Sequence, residues 1–395
     1  MRLAPGVEAL VQPAFDQPSP SFSVDTDGSV AVENTGVPAD DAGVPPDDGV
    51  LLRGHLRGRA LAGALLTAVL DVGIDVRTGA RAGRLVVEDG AVAGVVVDGE
   101  LETGRVILAT GGFQHDATLV DAHLPGMAIA PMGPAGCAGD GLRMACEVGA
   151  ELANMAEGWW MPALHTPGEI VGGVAHYRPL HSERAQPGSL LVDGTGRRFV
   201  DEAQNYGDVG RAMRRSAGGA GGGAVWMVFD TRYRRRYPAG PLAPSGADPE
   251  WLSRAADVAG LARAIGVPVG VLDETVRTFN VGAARGEDPL FGRGARPYDR
   301  WIGDPGAPHP TLAPLCEAPF YALSVQLGCM GTKGGPRTDD RGRVLGAERR
   351  PVAGLYAAGN AAASPFGTAT AAGGATLGPA LVFGFRAGEA AAGDR

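Results

Sequence analysis

A segment near the carboxyl end of the chain contains residue types that can bind a ligand through backbone hydrogen bonds. Within residues 354–388, a short apolar strand at 355–358 is followed by a loop of Ser, Thr, Ala and Gly. From Thr376 onward, apolar residues recur at three- and four-residue steps, which predicts a helix. The first amides of a helix lack intrahelical partners and carry a partial positive charge. They can therefore hold a carbonyl, a phosphate or an anionic heterocycle.

Two glycines and a proline favour this interpretation. Gly373 and Gly374 precede the predicted helix and would let a flat ligand approach the backbone closely. Pro379 falls in the first helical turn, where its missing N–H is tolerated. A second explanation stays open, because tight packing of a helix on a sheet also needs small residues.

Further glycine-rich motifs accompany this segment. Residues 331–339 have the sequence GTKGGPRTD, and residues 105–113 have the sequence RVILATGGF, in which a buried strand stops at ATGG. A third motif, Gly139-Asp140-Gly141, precedes a predicted helix that Asp140 is placed to cap. Taken singly, each motif is also explained as a strand end or a helix cap.

In this order, the motifs resemble the flavin domain of the fumarate reductase and 3-ketosteroid dehydrogenase flavoproteins. GTKGGPRTD followed by GLYAAGN and GATLGPALVFG is most similar to 3-ketosteroid Δ1-dehydrogenases. The resemblance runs from about Gly58 to the end of the chain and implies FAD as the cofactor. It implies an α/β fold, namely a truncated two-dinucleotide-binding (FAD) Rossmann-like domain with an inserted α+β cap domain.

The resemblance implies four parts along the chain. Residues 1–50 are rich in Asp, Pro and Gly, which predicts a disordered or irregular segment. Residues 51–152 and 318–395 would form the FAD-binding domain, and residues 153–317 the cap. We find no strand–GxGxxG–helix unit in the sequence, so the family's first nucleotide-binding unit is expected to be missing. Either the recorded start lies too far downstream or the chain is a true truncation.

Hydrophobic periodicity and turn residues predict the remaining elements. They are a helix at 59–72, strands at 75–78, 84–88 and 91–98 with a hairpin turn at Asp89-Gly90, a cap hairpin within 189–206, a strand at 224–230, a helix at 248–264 capped by Asp248, and a helix at 273–284.

The resemblance also implies the cofactor-binding residues. They are Thr110, Gly111, Gly112, Gly139, Asp140, Gly141, Gly331, Thr332, Gly359, Asn360, Gly374, Thr376 and Leu377.

The chemistry of such a family needs a hydride acceptor, a base for the acidic α-carbon and donors for the developing enolate oxygen. FAD would be the acceptor, Tyr206 matches the family's proton-abstracting tyrosine, and the amide of Gly374 matches its backbone donor. A phenol has a pKa of ~10, which nearby positive charge must lower, and Arg197 or Arg198 could supply it. Tyr206 could alternatively be a packed aromatic of the cap.

Thr370 departs from the Δ1-dehydrogenase pattern, which has a tyrosine four residues before Gly374. Its hydroxyl can donate a hydrogen bond but reaches less far than a phenol. We therefore expect a flavin-dependent dehydrogenase or reductase of a CH–CH bond beside a carbonyl, with a 3-ketosteroid, and hence steroid metabolism, as one candidate. Two alternatives are a non-catalytic remnant that binds an apolar ligand or a partner, and a subunit completed by a separate nucleotide-binding polypeptide.

The composition of the chain limits the classes of partner and the cellular compartment that we expect. A net charge of −9 and a pI of 5.3 argue against nucleic acid. Four cysteines without a CxxC motif indicate neither a disulfide framework nor a metal site, which favours a reducing, cytoplasmic compartment. No run reaches the ~20 apolar residues of a membrane span. We expect a small apolar ketone substrate and an electron acceptor, with peripheral membrane contact left open.

Overall fold

The computed structural model describes residues 21–24, 30–33, 58–126, 128–218, 223–371 and 373–393. It divides into two units, Met1–Ala80 and Arg81–Arg395. The predicted irregular segment 1–50 lies mostly outside the described residues. Within it, β1 (Ser21–Val24) and β2 (Val30–Glu33) form an antiparallel pair.

The predicted helix at 59–72 is present as α1 (Gly58–Asp71). The expected strand at 75–78 is wrong, because these residues have no strand structure. Val76 is 41% exposed, and a strand needs a neighbour that pairs with its backbone groups.

The second unit contains the strands and helices that carry the motifs. The strands are β3 (Ala82–Glu88), β4 (Ala91–Val97), β5 (Glu100–Thr103), β6 (Val106–Leu108), β7 (Ile129–Pro131), β8 (Leu152–Ala153), β9 (Gly158–Val171), β10 (Val174–Pro179), β11 (Ser189–Asp193), β12 (Val225–Asp230), β13 (Ser253–Ala255), β14 (Phe320–Ser324), β15 (Gln326–Thr332), β16 (Gly335–Pro336), β17 (Arg343–Leu345) and β18 (Pro351–Ala357). The helices are α2 (Ala117–His123), α3 (Asp140–Glu147), α4 (Tyr206–Ala217), α5 (Thr231–Arg236), α6 (Val258–Ile265), α7 (Val269–Ala283), α8 (Pro297–Ile302) and α9 (Leu377–Gly393).

Two small sheets carry the first and last motifs. Strands β3, β4 and β5 form an antiparallel meander, in which Asp89 and Gly90 both have positive φ, at 48° and 79°, as a tight hairpin turn requires. The other sheet has the order β17-β18-β6, and β18 runs parallel to β6. Because parallel strands end at the same edge, the ATGG loop after β6 and the loop after β18 are brought side by side.

Two four-stranded sheets form the middle of the unit. One has the order β10-β9-β15-β7, and the other has the order β11-β12-β14-β13. Strand β14 lies beyond the predicted cap boundary at residue 317, yet it pairs with β12 and β13. The four-part domain division stays a prediction.

The predicted helix at 248–264 is wrong in its first half. Residues 253–255 form β13, which pairs with β14, and the helix begins only at Val258, where Asp257 accepts a hydrogen bond from the amide of Gly260. Asp248 instead accepts from Arg234 Nε at 3.0 Å. Residues 253–255 form a strand because the edge of β14 is available for pairing, and this pairing outweighs their local helix propensity.

Two further predictions also differ from the structure, namely the helix cap at Asp140 and the hairpin within residues 189–206. Helix α3 begins at Asp140 itself, with Gly139 as its N-cap, and the carboxylate of Asp140 pairs with Arg81 at 3.3 Å. In the predicted cap hairpin, the second strand is reduced to a single bridge between Arg198 and Val192, beside which the amide of Asp193 donates to the carbonyl of Arg197. The chain then turns into α4, which Asn205 caps by accepting from the amide of Gly207 at 2.8 Å.

Helix α9 packs through its small residues. Ala387 and Ala390 are buried against Tyr356 of β18. Leu381 and Phe385, whose spacing predicted the helix, are 45% and 68% exposed. In the part of the chain that the structure describes, no helix is long and apolar enough to cross a membrane.

Candidate active site

The ATGG loop and the GTKGG loop meet at the end of β15. The amide of Phe113 donates to Oγ1 of the buried Thr332 at 3.2 Å. A Cβ on Gly112 would overlap that hydroxyl and would lie 2.9 Å from the amide nitrogen of Thr332. Two motifs that are 219 residues apart are therefore in direct contact.

The Gly139-Asp140-Gly141 motif packs on the same loop. The amide of Gly139 donates to the carbonyl of Gly112 at 3.1 Å, and a Cβ on Gly141 would overlap Thr110 Oγ1. A Cβ on Gly111 would lie 2.7 Å from Cys137 Sγ. At these glycines the space is filled by the protein's own side chains, so packing alone explains them. Their contact with a cofactor stays a prediction.

Gly331 and Asn360 form a second contact between motifs. A Cβ on Gly331 would overlap Asn360 Nδ2, while Asn360 Oδ1 accepts from Trp159 Nε1 at 3.1 Å. The side-chain amide of Asn360 therefore packs against Gly331 through its nitrogen and is hydrogen-bonded to Trp159 through its oxygen. This contact joins the end of β18 to the start of β9.

A cleft of about 360 Å³ opens between the end of β18 and the first turns of α9. Its lining includes Gly359, Pro379 and Phe383, and also Asn154 and Ser364.

Gly373 and Gly374, before α9, are the predicted open glycines. Each is exposed, and an added Cβ would have no heavy atom of the described residues within 4 Å. Gly374 has φ 85°, which an L side chain rarely adopts. Thr376 and Leu377 follow, at the start of the helix, whose first amides are available as donors. The open glycines and the helix end fit a flat, anion-bearing group such as part of FAD. The cleft at α9 carries charges of both signs, from Arg337 and from Asp339 and Asp340.

Tyr206 is the first residue of α4 and is half-buried. It packs against an apolar cluster of the buried residues Met132, Met161 and Ala163, and Tyr177 and Met330 pack against the same cluster. Met132 directly follows β7, while Met161, Tyr177 and Met330 belong to β9, β10 and β15. The tyrosine therefore packs against flexible apolar side chains, which can adapt to the shape of a bound ring.

Thr370 lies against the amino end of the same helix. A Cβ on Gly207 would overlap Thr370 Oγ1 and would lie 3.0 Å from Thr370 Cβ. The structure thus brings Thr370 beside Tyr206, as the predicted shared site requires. The contact at Gly207 does not include Gly374, which lies four residues beyond Thr370 in the chain.

The surroundings of Tyr206 raise its pKa. Burial is the largest cause and the nearby Tyr298 adds to it, while the positive charge of Arg184 acts in the opposite direction. His181 lies next to Tyr206, with 5.7 Å between the ring centroids. A phenol in this environment holds its proton at neutral pH.

The cation that acts on the pKa of Tyr206 is Arg184, whereas the expected Arg198 is paired elsewhere. The Arg198 guanidinium is taken up by Glu202 and Asp288, at 2.7 and 2.8 Å. Side-chain burial and long-range ion pairing cannot be read from two adjacent arginines in a sequence.

Arg184 is fully buried and holds the backbone that leads to Tyr206. Its Nη1 donates to the carbonyl of Glu202 and, at 2.9 Å, to that of Gln204, while its Nε donates to the carbonyl of Leu180. Burial is the main cause that lowers the pKa of Arg184, to about 10, so it stays charged at neutral pH.

A buried ionic network lies behind this segment. Glu202 accepts from Arg198 Nε at 2.8 Å, from Arg293 Nη1 at 3.1 Å and from the amide of Leu191 at 3.1 Å. Burial raises the pKa of Glu202, but Arg198 and Arg293 outweigh it, so the pKa is lowered. The carboxylate therefore stays ionised and fixes the turn before α4.

Three residues of the site were missed from the sequence: Gly207, Arg184 and Lys333. Gly207 directly follows Tyr206, the candidate base. This position in the sequence is the one local signal that could have identified Gly207. Lys333 stands inside GTKGG, and Arg184 lies 22 residues before Tyr206 in a stretch without a motif. Their roles depend on contacts across the chain.

Comparison with known proteins identifies the family. The FAD binding domain family matches residues 22–377. The chain is 39% identical over 356 residues to 4-oxocyclohexanecarboxylate 2-dehydrogenase of Sinomonas cyclohexanicum, with 86% of this chain and 61% of that protein covered. It is 36% identical over 355 residues to 3-oxosteroid 1-dehydrogenase of Mycobacterium tuberculosis, with 84% and 62% covered.

A solved structure agrees with these relatives. The crystal structure of 3-ketosteroid Δ1-dehydrogenase from Sterolibacterium denitrificans, in complex with 1,4-androstadiene-3,17-dione, matches with a TM-score of 0.80 and 35% identity. The match covers 86% of this chain and 63% of that one. The chain thus spans about three fifths of the length of the relatives that it matches.

These matches confirm the resemblance to 3-ketosteroid dehydrogenase flavoproteins and the predicted α/β FAD-binding fold. They also confirm FAD as the cofactor. Over most of its length, from residue 22 to residue 377, the chain belongs to the FAD-binding-domain family.

Proposed function

We propose that this protein is a flavin-dependent dehydrogenase that removes two hydrogens from a CH–CH bond next to a ring ketone. The contact of Thr370 with Gly207, directly beside Tyr206, carries the proposal. A hydroxyl donor close to the residue that follows a candidate base supports this reaction type. Relatives named as 4-oxocyclohexanecarboxylate and 3-oxosteroid dehydrogenases support the same reaction type.

FAD would supply the acceptor for the hydride that leaves the β-carbon. The residues that would hold it are the open Gly373 and Gly374, the first amides of α9 at Thr376 and Leu377, and the cleft at Gly359. An amide donor and a partial positive charge at this helix end favour a group that becomes anionic.

In its phenolate form, Tyr206 would take the proton from the carbon beside the ketone, and the electron pair of that C–H bond would move toward the carbonyl oxygen. Thr370 Oγ1 and the amide of Gly374 would donate hydrogen bonds to that oxygen. Such donors act where charge develops, which stabilises the transition state more than the bound ketone. When the β-carbon loses its hydride, the enolate pair forms the new C=C bond and the ketone returns.

The methionine-rich surroundings favour an apolar, cyclic substrate. Tyr206 and Met330 both pack against the cluster that contains Met132 and Met161, and these methionines offer polarisable, adaptable contacts to a flat ring. Both a substituted cyclohexanone and the first ring of a 3-ketosteroid present that ring and that oxygen. We further propose an electron acceptor that completes the turnover and a cytoplasmic location, with peripheral membrane contact left to experiment.

The purified chain, incubated with FAD and freed of excess, should show a flavin absorbance spectrum. Anaerobic addition of 4-oxocyclohexanecarboxylate or 4-androstene-3,17-dione should bleach the 450 nm region within about a tenth of a second, given typical turnover of ~10 s⁻¹. A yellow protein that neither ketone bleaches would overturn the dehydrogenase. A colourless protein that takes up no FAD would favour the non-catalytic alternative.

A further inference from the structure

Lys333 is the only lysine in the 395-residue sequence, and every other strongly basic side chain is an arginine. Its side chain is fully buried, at 0% exposure. Burying an ammonium is costly unless it is paired or hydrogen-bonded. The partners of this one ammonium therefore indicate what it does.

The partners belong to the loop that carries Thr370. Lys333 Nζ donates to the carbonyl of Ala369 at 2.7 Å and to that of Thr368 at 3.3 Å. The ammonium lies 4.1 Å from the centroid of the Trp159 ring, a cation–π distance. The backbone adds a third link, since the amide of Ser364 donates to the carbonyl of Lys333 at 2.9 Å.

These contacts hold the loop directly before the candidate donor and at the donor's own side chain. Lys333 holds the two carbonyls immediately before Thr370, and Gly207 receives the Thr370 side chain. We propose that Lys333 is a positioning residue, whose ammonium keeps the 364–371 loop in the conformation that presents Thr370 beside Tyr206. Its catalytic consequence rests on the proposed function, whereas its effect on the loop does not.

The site suits lysine better than arginine. A compact ammonium can point at two adjacent carbonyls while it lies on an indole ring, whereas a guanidinium needs a wider planar fork. The charged groups that face it are Glu157, Asp208 and Arg211. Burial, followed by Arg211, lowers the pKa of Lys333 to about 8, so the ammonium predominates at pH 7.

Hydrogen–deuterium exchange tests the loop without any turnover. In K333M, which keeps an apolar stem but has no donor, peptides over 364–371 should lose protection about tenfold or more, since hydrogen bonds from a charged group contribute ~1.5–3 kcal/mol. The matched control is Arg386→Met, which removes an exposed cation that donates to the carbonyl of Asp340. Unchanged protection of the loop in K333M would overturn the proposal.

A double-mutant cycle tests the catalytic consequence. If Lys333 acts through Thr370, then K333M should lower kcat with little change in bound FAD, and it should lower kcat much less in a Thr370→Ala background. Equal losses in both backgrounds would show that Lys333 does not act through Thr370. If no ketone is turned over at all, the proposed function fails, while the exchange experiment still decides whether Lys333 holds the loop.

Nitrogen-15 labelling of lysine tests the unaltered protein, in case K333M does not fold. A single lysine gives a single side-chain resonance. Protected Nζ hydrogens with nuclear Overhauser contacts to Thr368 and Ala369 are expected. A resonance whose hydrogens exchange as fast as those of free lysine would overturn the proposal.

Discussion

Thr370 Oγ1 lies so close to Gly207 that the Cβ of any larger residue at position 207 would overlap it. Because Gly207 follows Tyr206, this contact sets the position of the candidate donor relative to the candidate base. A glycine at the amino end of α4 is thus part of the site without offering a functional group of its own.

Gly207→Ala should displace Thr370, because the new methyl group overlaps its hydroxyl and lies 3.0 Å from its Cβ. We expect the free energy of unfolding to fall by about 1–3 kcal/mol. Turnover should fall by a larger factor than FAD affinity. Urea unfolding and steady-state kinetics measure the two effects.

The matched control for that change is Gly218→Ala at the other end of α4. There the nearest atom to an added Cβ is the carbonyl oxygen of Arg215 at 3.7 Å, an ordinary contact, and φ is −73°. Equal effects of the two substitutions would show that Thr370 has no special dependence on Gly207.

Tyr206→Phe should abolish turnover and leave FAD bound, because it removes only the phenolic oxygen. A lost general base costs roughly 10²–10⁴-fold in rate. Tyr177→Phe is the matched control, since Tyr177 lies in the same apolar cluster. Rapid-mixing kinetics with the flavin absorbance as the signal would measure both, and unchanged turnover in Tyr206→Phe would remove this residue from the mechanism.

The rate should rise with pH across the neutral range. Burial raises the pKa of Tyr206 above its ordinary value of 10, so the phenolate fraction grows about tenfold per pH unit below that pKa. A plot of kcat/KM against pH from 6 to 10 should therefore climb without a plateau. A plateau near pH 7 would mean that another group takes the proton.

Glu202→Gln should lower the free energy of unfolding by about 3–5 kcal/mol, because it leaves Arg198 and Arg293 buried without their carboxylate. Since the folded pKa of Glu202 is lowered, its stabilising effect is present above the unfolded pKa and is lost as pH falls through the folded pKa. The difference between the two proteins should accordingly shrink in acid. Glu287→Gln, at a 62% exposed carboxylate, should change the stability little.

Lys333 predicts a pH dependence of the same sign as that of Glu202, but in the alkaline range. Its folded pKa of about 8 lies below the ordinary 10.5, so the folded state binds fewer protons than the unfolded state between these values. The stability of the natural protein relative to K333M should therefore rise from pH 8 to pH 10.5, by at most about 3 kcal/mol. Guanidinium unfolding at several pH values measures this difference, and a difference that falls over this interval would contradict the lowered pKa.

The amino-acid sequence alone determined the elements whose pattern is strong and local. The strand and helix around the last glycine-rich loop, the Asp89-Gly90 hairpin and the glycine motifs follow from periodicity and from residues that only certain turns accept. The order of these motifs was enough to predict an FAD-binding fold.

Only the tertiary structure decided which residues meet. Residues 253–255 became a strand because β14 offered an edge, and the Leu381 side of α9 is exposed because Ala387 and Ala390 fit against Tyr356. Likewise, Arg198 was withdrawn into an ion pair with Asp288, 90 residues away, and the only lysine came to hold the loop before Thr370. Contacts between segments far apart in the chain depend on packing and burial, which local patterns do not encode.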